Sequence, residues 1–381
     1  MSDSKKANDA LIADTSRYNE QYNILTAKMM AEYVNKSGDE NIFYSPFSVL
    51  VMLTIAADSV GGKTREEILD VIGGDISFED LREMIIKLQD TFAEGEDMVS
   101  ANAVCVKEEI KDTIVPGYLE KISDYGGSLF ATKDIVNDVD RWVKDNTRGM
   151  IEKIADDSMS KMLAVLMNAV AFQATWARTY SEDEIYEEEF TNADGTVNEV
   201  TFLESKEKGY IEDDLFTGFI KSYKNNDHCF MALLPKKEKS GKQLADIIKD
   251  IDLTKIYEKV SFRNDVYVEM PEFGSTFEAD LTDFCKEMGI KTIFTPEADF
   301  SPMSSERLKV DSIMHKARIE VDRIGTKAAA VTMANVIGCL PMEDDTKYVC
   351  LNRPFLYAIM NIKTHLSVFV GVCNKAVFKD G

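Results

Sequence analysis

Gly325-Thr326-Lys327-Ala328-Ala329-Ala330-Val331-Thr332-Met333-Ala334-Asn335-Val336-Ile337-Gly338-Cys339-Leu340 follows the apolar-polar alternation of Lys316 to Val321 and has no proline before Pro341. Read with period two, one face is Thr326, Ala328, Ala330, Thr332, Ala334, Val336 and Gly338, each small enough for a crowded interior. The other face carries Lys327, Met333 and Asn335, which can stay near water. Such a segment fits the middle of a sheet, yet its glycine and alanine give weak strand preference and little apolar area. It reads as a strand that a sheet can hold or do without.

Working outward, Val310 to Val321 alternates as a strand carrying His315, and Phe355 to Ile362 with Leu366 to Val372 forms a hairpin around Lys363-Thr364-His365. Met162 to Trp176 is almost continuously apolar and predicts a strand buried on both faces. Asn168 interrupts it, and a buried amide left unpaired costs about 1–3 kcal/mol, so it must find partners. Tyr18, Tyr22, Leu25, Met29 and Tyr33 mark the inward stripe of a first helix. Pro46 opens a second, apolar one through Ala57. Further helices are predicted at Phe78 to Phe92 and from Val136 to Ile154, the latter capped by Asn137, with a strand at Met98 to Val106 between them.

The 381 residues contain no Pro/Gly/Ser-rich linker or compositional break, which favours one domain over residues 1–381. A formal charge of -23 argues against nucleic acid, heparin-like polyanions and anionic membrane as partners and favours cationic ones. No apolar run reaches the ~18–20 residues of a membrane span. Cys105, Cys229, Cys285, Cys339, Cys350 and Cys373 show neither a CxxC pair nor metal-ligand spacing, so free, mostly buried thiols and no metal are expected. The polar stretch Met1 to Ala10 lacks the apolar core of a signal peptide, which points to a cytoplasmic chain or a mature secreted form.

Catalysis finds little support. His228, His315 and His365 are the only histidines, and neither a Gly-x-Ser-x-Gly elbow nor a His-Glu-x-x-His helix is present. Gly61-Gly62-Lys63-Thr64 imitates the end of a phosphate loop, but Ala57 stands where its first glycine belongs. The acidic run Glu182 to Glu189 reads as a solvated face. No enzyme activity and no cofactor are expected.

The motif Gly-Thr-x-Ala-Ala-Ala-x-Thr at Gly325 to Thr332, followed by Arg353-Pro354-Phe355, resembles the serpins, inhibitors that trap proteases with a mobile loop. The resemblance extends to Asn41-x-x-x-Ser45-Pro46-x-Ser48, Trp142-Val143-x-x-x-Thr147, the Leu166 to Phe172 strand with Trp176, and the Ala298 to Ser301 turn. It implies an α+β fold of three β-sheets with about eight or nine helices. An exposed reactive loop at residues 323–353 belongs to that fold. It further implies a hinge at Gly325, Thr326, Lys327, Ala328, Ala329, Ala330, Val331 and Thr332. Ser45, Ser48, Asn168 and His315 would form a hydrogen-bonded cluster where the main sheet parts, and Trp176 would stand at the loop's entry. Arg323, Ile324 and Lys327 depart from the acidic residues usual around the hinge.

The activity so implied is suicide inhibition of a serine endopeptidase through a covalent complex, by a secreted and monomeric protein. Counting fifteen residues from Gly325 through Cys339 places the reactive bond at Cys339-Leu340. A small uncharged side chain there suits an elastase-like pocket. Leu340-Pro341 is a poor site, because proline restricts the residue before it, and Met342-Glu343 is the alternative bond. The alternative functions are a non-inhibitory binding protein of the same fold and an inhibitor of cysteine or subtilisin-like proteases.

Overall fold

The computed structural model describes residues 3–93, 97–236, 241–326 and 346–377. Its helices are α1 (Asp3–Ser37), α2 (Pro46–Ser59), α3 (Gly62–Ile72), α4 (Phe78–Ala93), α5 (Tyr118–Ser123), α6 (Ile135–Asn146), α7 (Gly241–Ile248), α8 (Leu253–Glu258) and α9 (Thr282–Met288). The first strands are β1 (Ile42–Tyr44), β2 (Met98–Lys107), β3 (Gly127–Thr132), β4 (Ala164–Phe172), β5 (Ala174–Thr175), β6 (Ile185–Thr191), β7 (Val197–Glu207), β8 (Gly209–Glu212) and β9 (Phe216–Ser222). The remainder are β10 (His228–Pro235), β11 (Val266–Pro271), β12 (Phe273–Asp280), β13 (Ser312–Val321), β14 (Gly325–Thr326), β15 (Lys347–Cys350), β16 (Phe355–Asn361) and β17 (Ser367–Cys373). Three sheets result, as the α+β reading expects.

The chain forms two compact units: Met1–Tyr44 with Phe172–Thr276 and Ile319–Gly381, and Ser45–Ala171 with Phe277–Arg318. The first contains two complete sheets, ordered β1-β17-β16-β10-β9-β8 and β15-β11-β7-β6. Every residue of β10, β16 and β17 is buried, which is why these strands read as unbroken apolar runs and not as alternations. Phe43 stacks on Phe369 at 5.0 Å and Phe273 meets Phe355 edge-on at 5.6 Å. The tyrosine stripe of α1 is buried, and Tyr22 Oη donates to the Ser367 carbonyl at 2.6 Å. Glu187, Glu188 and Glu189 on β6 are exposed, the solvated face that their charge demands.

In the second unit the strands run in the order β3-β2-β4-β13. β4 and β13 are parallel direct neighbours, from Ser312 opposite Val165 to Arg318 opposite Ala171. Helix α2 is buried along its whole length, as a helix apolar on all sides must be. Its start is fixed by Pro46 in the first turn and by Ser45, whose side chain accepts from the Ser48 amide.

Helix α6 departs from the sequence expectation at both ends. Asp134, not Asn137, is the cap, its carboxylate accepting from the Asn137 amide. The helix stops at Asn146, where Arg148 and Gly149 take φ of 55° and 75°. Met150, Ile151 and Ile154 continue the apolar stripe on non-helical chain, held by Asp140, whose Oδ1 accepts from the Ile154 and Ala155 amides at 2.9 Å each. Val139, Val143, Ile151 and Ile154 pack with Cys105, Val165, Met167 and Ala169. The apolar run Met162 to Trp176 likewise divides into β4 and β5, because the two pieces pair with different strands, β13 and β14. Among the described residues no helix is long and apolar enough to cross a membrane.

Candidate functional site

Four side chains predicted to cluster do so in the second unit, and two more close them into a ring. The Ser45 amide donates to His315 Nε2 at 3.4 Å, and His315 Nδ1 lies 2.6 Å from Asn168 Oδ1. Asn168 Nδ2 donates to Asn102 Oδ1 at 2.8 Å, and Asn102 Nδ2 to Ser100 Oγ at 3.4 Å. Ser100 Oγ meets Ser48 Oγ at 3.1 Å, and the Ser48 amide returns to Ser45 Oγ at 3.1 Å. These partners assign the imidazole proton to Nδ1, which donates to Asn168, and leave Nε2 as an acceptor. Burial pushes the His315 pKa down to about 3, so the ring is neutral. His315 and Asn168 are register partners on β13 and β4, so this contact spans the ladder that joins those strands.

Sequence reasoning missed Ser100 and Asn102. The available signal was their spacing: two polar residues at alternate positions of the otherwise apolar run Met98 to Val106 share one face.

The hinge lies in the first unit. From Val321 the chain turns at Asp322, whose carboxylate Oδ1 accepts from the Ile324 and Gly325 amides at 2.7 and 2.9 Å. β14 then pairs on both sides, antiparallel to the end of β13 through Val321 and Thr326, and antiparallel to β5 through Gly325-Thr175 and Thr326-Ala174. Trp176 braces this turn. Its amide donates to the Ile324 carbonyl at 2.9 Å and its Nε1 to the Asp322 carbonyl at 2.8 Å. Its ring stacks on Tyr223 at 4.7 Å and 8° between planes, and Tyr223 Oη lies 2.7 Å from Thr326 Oγ1. Arg323, which departs from the acidic pattern, is bound through its amide and its Nε to Glu272 Oε1, at 3.0 and 3.2 Å.

Lys327, Ala328, Ala329, Ala330, Val331 and Thr332 of the hinge lie outside the described residues, as do Cys339 and Leu340 of the expected reactive bond and the alternative pair Met342 and Glu343.

A family model described as serpin, serine protease inhibitor, matches residues 20–376. The chain belongs to the serpin family. Iripin-5 of Ixodes ricinus is 26% identical, with 96% of this chain and 97% of that protein aligned. Leukocyte elastase inhibitor A of Mus musculus is 28% identical over 92% of this chain and 98% of its own. The native-state crystal structure of tengpin, a thermophilic serpin, superposes with a TM-score of 0.84 at 29% identity, covering 93% of this chain and 94% of that one. The family is described as one of serine protease inhibitors, not of catalysts, and some relatives are inhibitors by name.

Among this serpin's described residues no group of three or more His, Cys, Asp or Glu side chains converges as a metal site would require. Cys105, Cys229, Cys285, Cys350 and Cys373 are free thiols, all buried except the half-buried Cys350. Gly61 and Gly62, which imitate a phosphate loop, instead begin α3, and the Gly61 amide donates to the Asp299 carbonyl at 2.8 Å.

Proposed function

We propose that this serpin is a suicide-substrate inhibitor of serine endopeptidases with elastase-like preference for small apolar side chains. The protease serine attacks the Cys339 carbonyl, the Cys339-Leu340 bond breaks, and the Leu340 amine leaves with a proton, so that an acyl-enzyme remains. The freed segment Thr326 to Gly338 then enters as a strand between β4 and β13. Inhibition is a race between this insertion and hydrolysis of the ester.

The observation that carries this reading is the doubly paired β14. Gly325 and Thr326 already stand between β5 and the end of β13. β5 follows β4 after one residue, and β13 continues back to Ser312. Each further residue entering behind Thr326 would exchange one β4–β13 ladder for two ladders, gaining hydrogen bonds worth about 0.5–1.5 kcal/mol each. The small side chains on alternate positions from Thr326 to Gly338 suit such entry. The likeness to a leukocyte elastase inhibitor supports the protease class.

The test is incubation of the full chain with an elastase, a trypsin, a subtilisin and a papain-type protease. A complex with the elastase that survives boiling in detergent, and a released peptide beginning at Leu340, are expected. Cleaved chain with no complex would remove the inhibitory reading, and a peptide beginning at Glu343 would move the bond to Met342-Glu343. Loop cleavage is also expected to raise thermal stability substantially, because the uncleaved fold is held kinetically.

A further inference from the structure

Lys221 on β9 is buried, the one such lysine among the described residues, and nothing in the inhibitory chemistry uses it. Its Nζ lies 2.6 Å from Glu207 Oε1. The same ammonium stands 4.5 Å from the centroid of the Tyr180 ring and 5.5 Å from that of Trp176. Ser205 Oγ donates to Glu207 Oε1 at 2.8 Å and lies 3.4 Å from Tyr180 Oη, so the carboxylate is itself fixed in place. Burial opposes the ammonium form, but Tyr180 and Glu207 more than offset it, and the Lys221 pKa sits above the ordinary lysine value.

The two rings against this cation belong to the residues that hold the hinge turn. Trp176 binds the carbonyls of Asp322 and Ile324, and the Tyr180 amide donates to the carbonyl between them, Arg323, at 3.0 Å. Three consecutive carbonyls leading into β14 are therefore held by two aromatic residues that share one ammonium. A buried ion pair is a poor explanation of stability as such, since well-packed apolar replacements are often neutral or better. An apolar side chain of equal volume would fill this site but give the two rings no common charge to orient towards. A cation instead draws the face of the Trp176 ring towards it and holds Tyr180 through a side-chain hydrogen bond as well as the ring.

We propose that Lys221, anchored by Glu207, is a positioning residue that orients Trp176 and Tyr180 and thereby locks the Asp322–Gly325 turn and β14 into the sheet. The lock sets how readily the cleaved loop begins to insert, a consequence that rests on the inhibitory reading above.

The experiment compares amide hydrogen exchange of the intact, uncleaved parent with that of Lys221→Met/Glu207→Gln, which keeps the volumes and removes both charges. Exchange at the Trp176, Tyr180 and Gly325 amides is expected to accelerate about tenfold or more, while β10 and β16 are unchanged. No change at these amides, or equal acceleration throughout β10 and β16, overturns the proposal. Glu207→Gln alone, which keeps the lysine and the shape, is expected to give about a threefold acceleration and carries the test if the double variant does not fold. Stoichiometry of inhibition is then measured on the same variants. A loosened turn with unchanged stoichiometry overturns the link to insertion, whereas a loosened turn in a protein whose parent traps no protease upholds the lock and removes the inhibitory function.

Discussion

Gly325 runs so close to Ala174 that a Cβ on it would stand 2.1 Å from the Ala174 carbonyl oxygen and 2.8 Å from the Thr175 Cα. Both obstacles are backbone, so no side-chain rotation relieves them. The glycine that opens the family's hinge motif is therefore demanded here by close approach, because its φ lies outside the left-handed region.

Gly325→Ala is expected to expel β14 from between β5 and β13. The cost is about 1–3 kcal/mol of overpacking if the strand stays and the loss of its ladder bonds if it leaves. Faster exchange at the Trp176 and Gly325 amides, with a higher stoichiometry of inhibition, is the expected pair of readouts.

Thr326 is fully buried under the Tyr223 hydroxyl. Thr326→Arg puts a long charged side chain at a fully buried position, so insertion slows and the inhibitor is expected to turn into a substrate that is cleaved and released. Tyr223→Phe is the mild counterpart. It keeps the stack on Trp176 and removes one hydrogen bond, so unfolding measurements should show a loss of about 1 kcal/mol. Unchanged stoichiometry in Thr326→Arg would contradict loop insertion.

Asn168 links His315 to Asn102, accepting from one and donating to the other. Asn168→Ala leaves two buried polar groups without this partner and is expected to cost about 2–4 kcal/mol, read from the denaturant midpoint at constant slope. A loss below 0.5 kcal/mol, roughly the scale of an ordinary surface substitution, would mean that the ring is not a structural unit.

His315 makes stability depend on pH in a stated direction. Its folded pKa of about 3 is below the ordinary value of 6.5, so between these limits the unfolded chain binds a proton that the folded chain refuses. Stability from this group is complete above pH 6.5 and declines as pH falls towards 3, by about 3–5 kcal/mol at most. His315→Gln is expected to flatten the acid limb of a stability-against-pH curve over that window. An acid limb as steep as the parent's would assign the dependence elsewhere.

The fold class was legible because its signals are local. The apolar α2 after Pro46, the stripe of α1 and the unbroken runs of β10, β16 and β17 each report their burial through composition alone. Serine, asparagine and histidine at Ser45, Ser48, Asn168 and His315 could be grouped through motif resemblance, and polar residues inside apolar strands announce that partners must exist. Ser100 and Asn102 carried the same kind of signal in weaker form, as an alternating pair on β2.

Where such groups meet was another matter. Periodicity continued through Met150, Ile151 and Ile154 although the helix ended at Asn146, because apolar burial on a non-helical chain can continue the same stripe. Nothing near Lys221 in the sequence points to Glu207, Tyr180 or Trp176, since strand pairing across the sheets, not chain order, brings them together. By itself the sequence determined a slender hinge segment, an apolar interior and the absence of catalytic motifs. Only the tertiary structure decided that Gly325 meets the Ala174 backbone and that the ring closes through β2, because close approach and hydrogen-bond closure depend on distances between segments that local patterns do not encode.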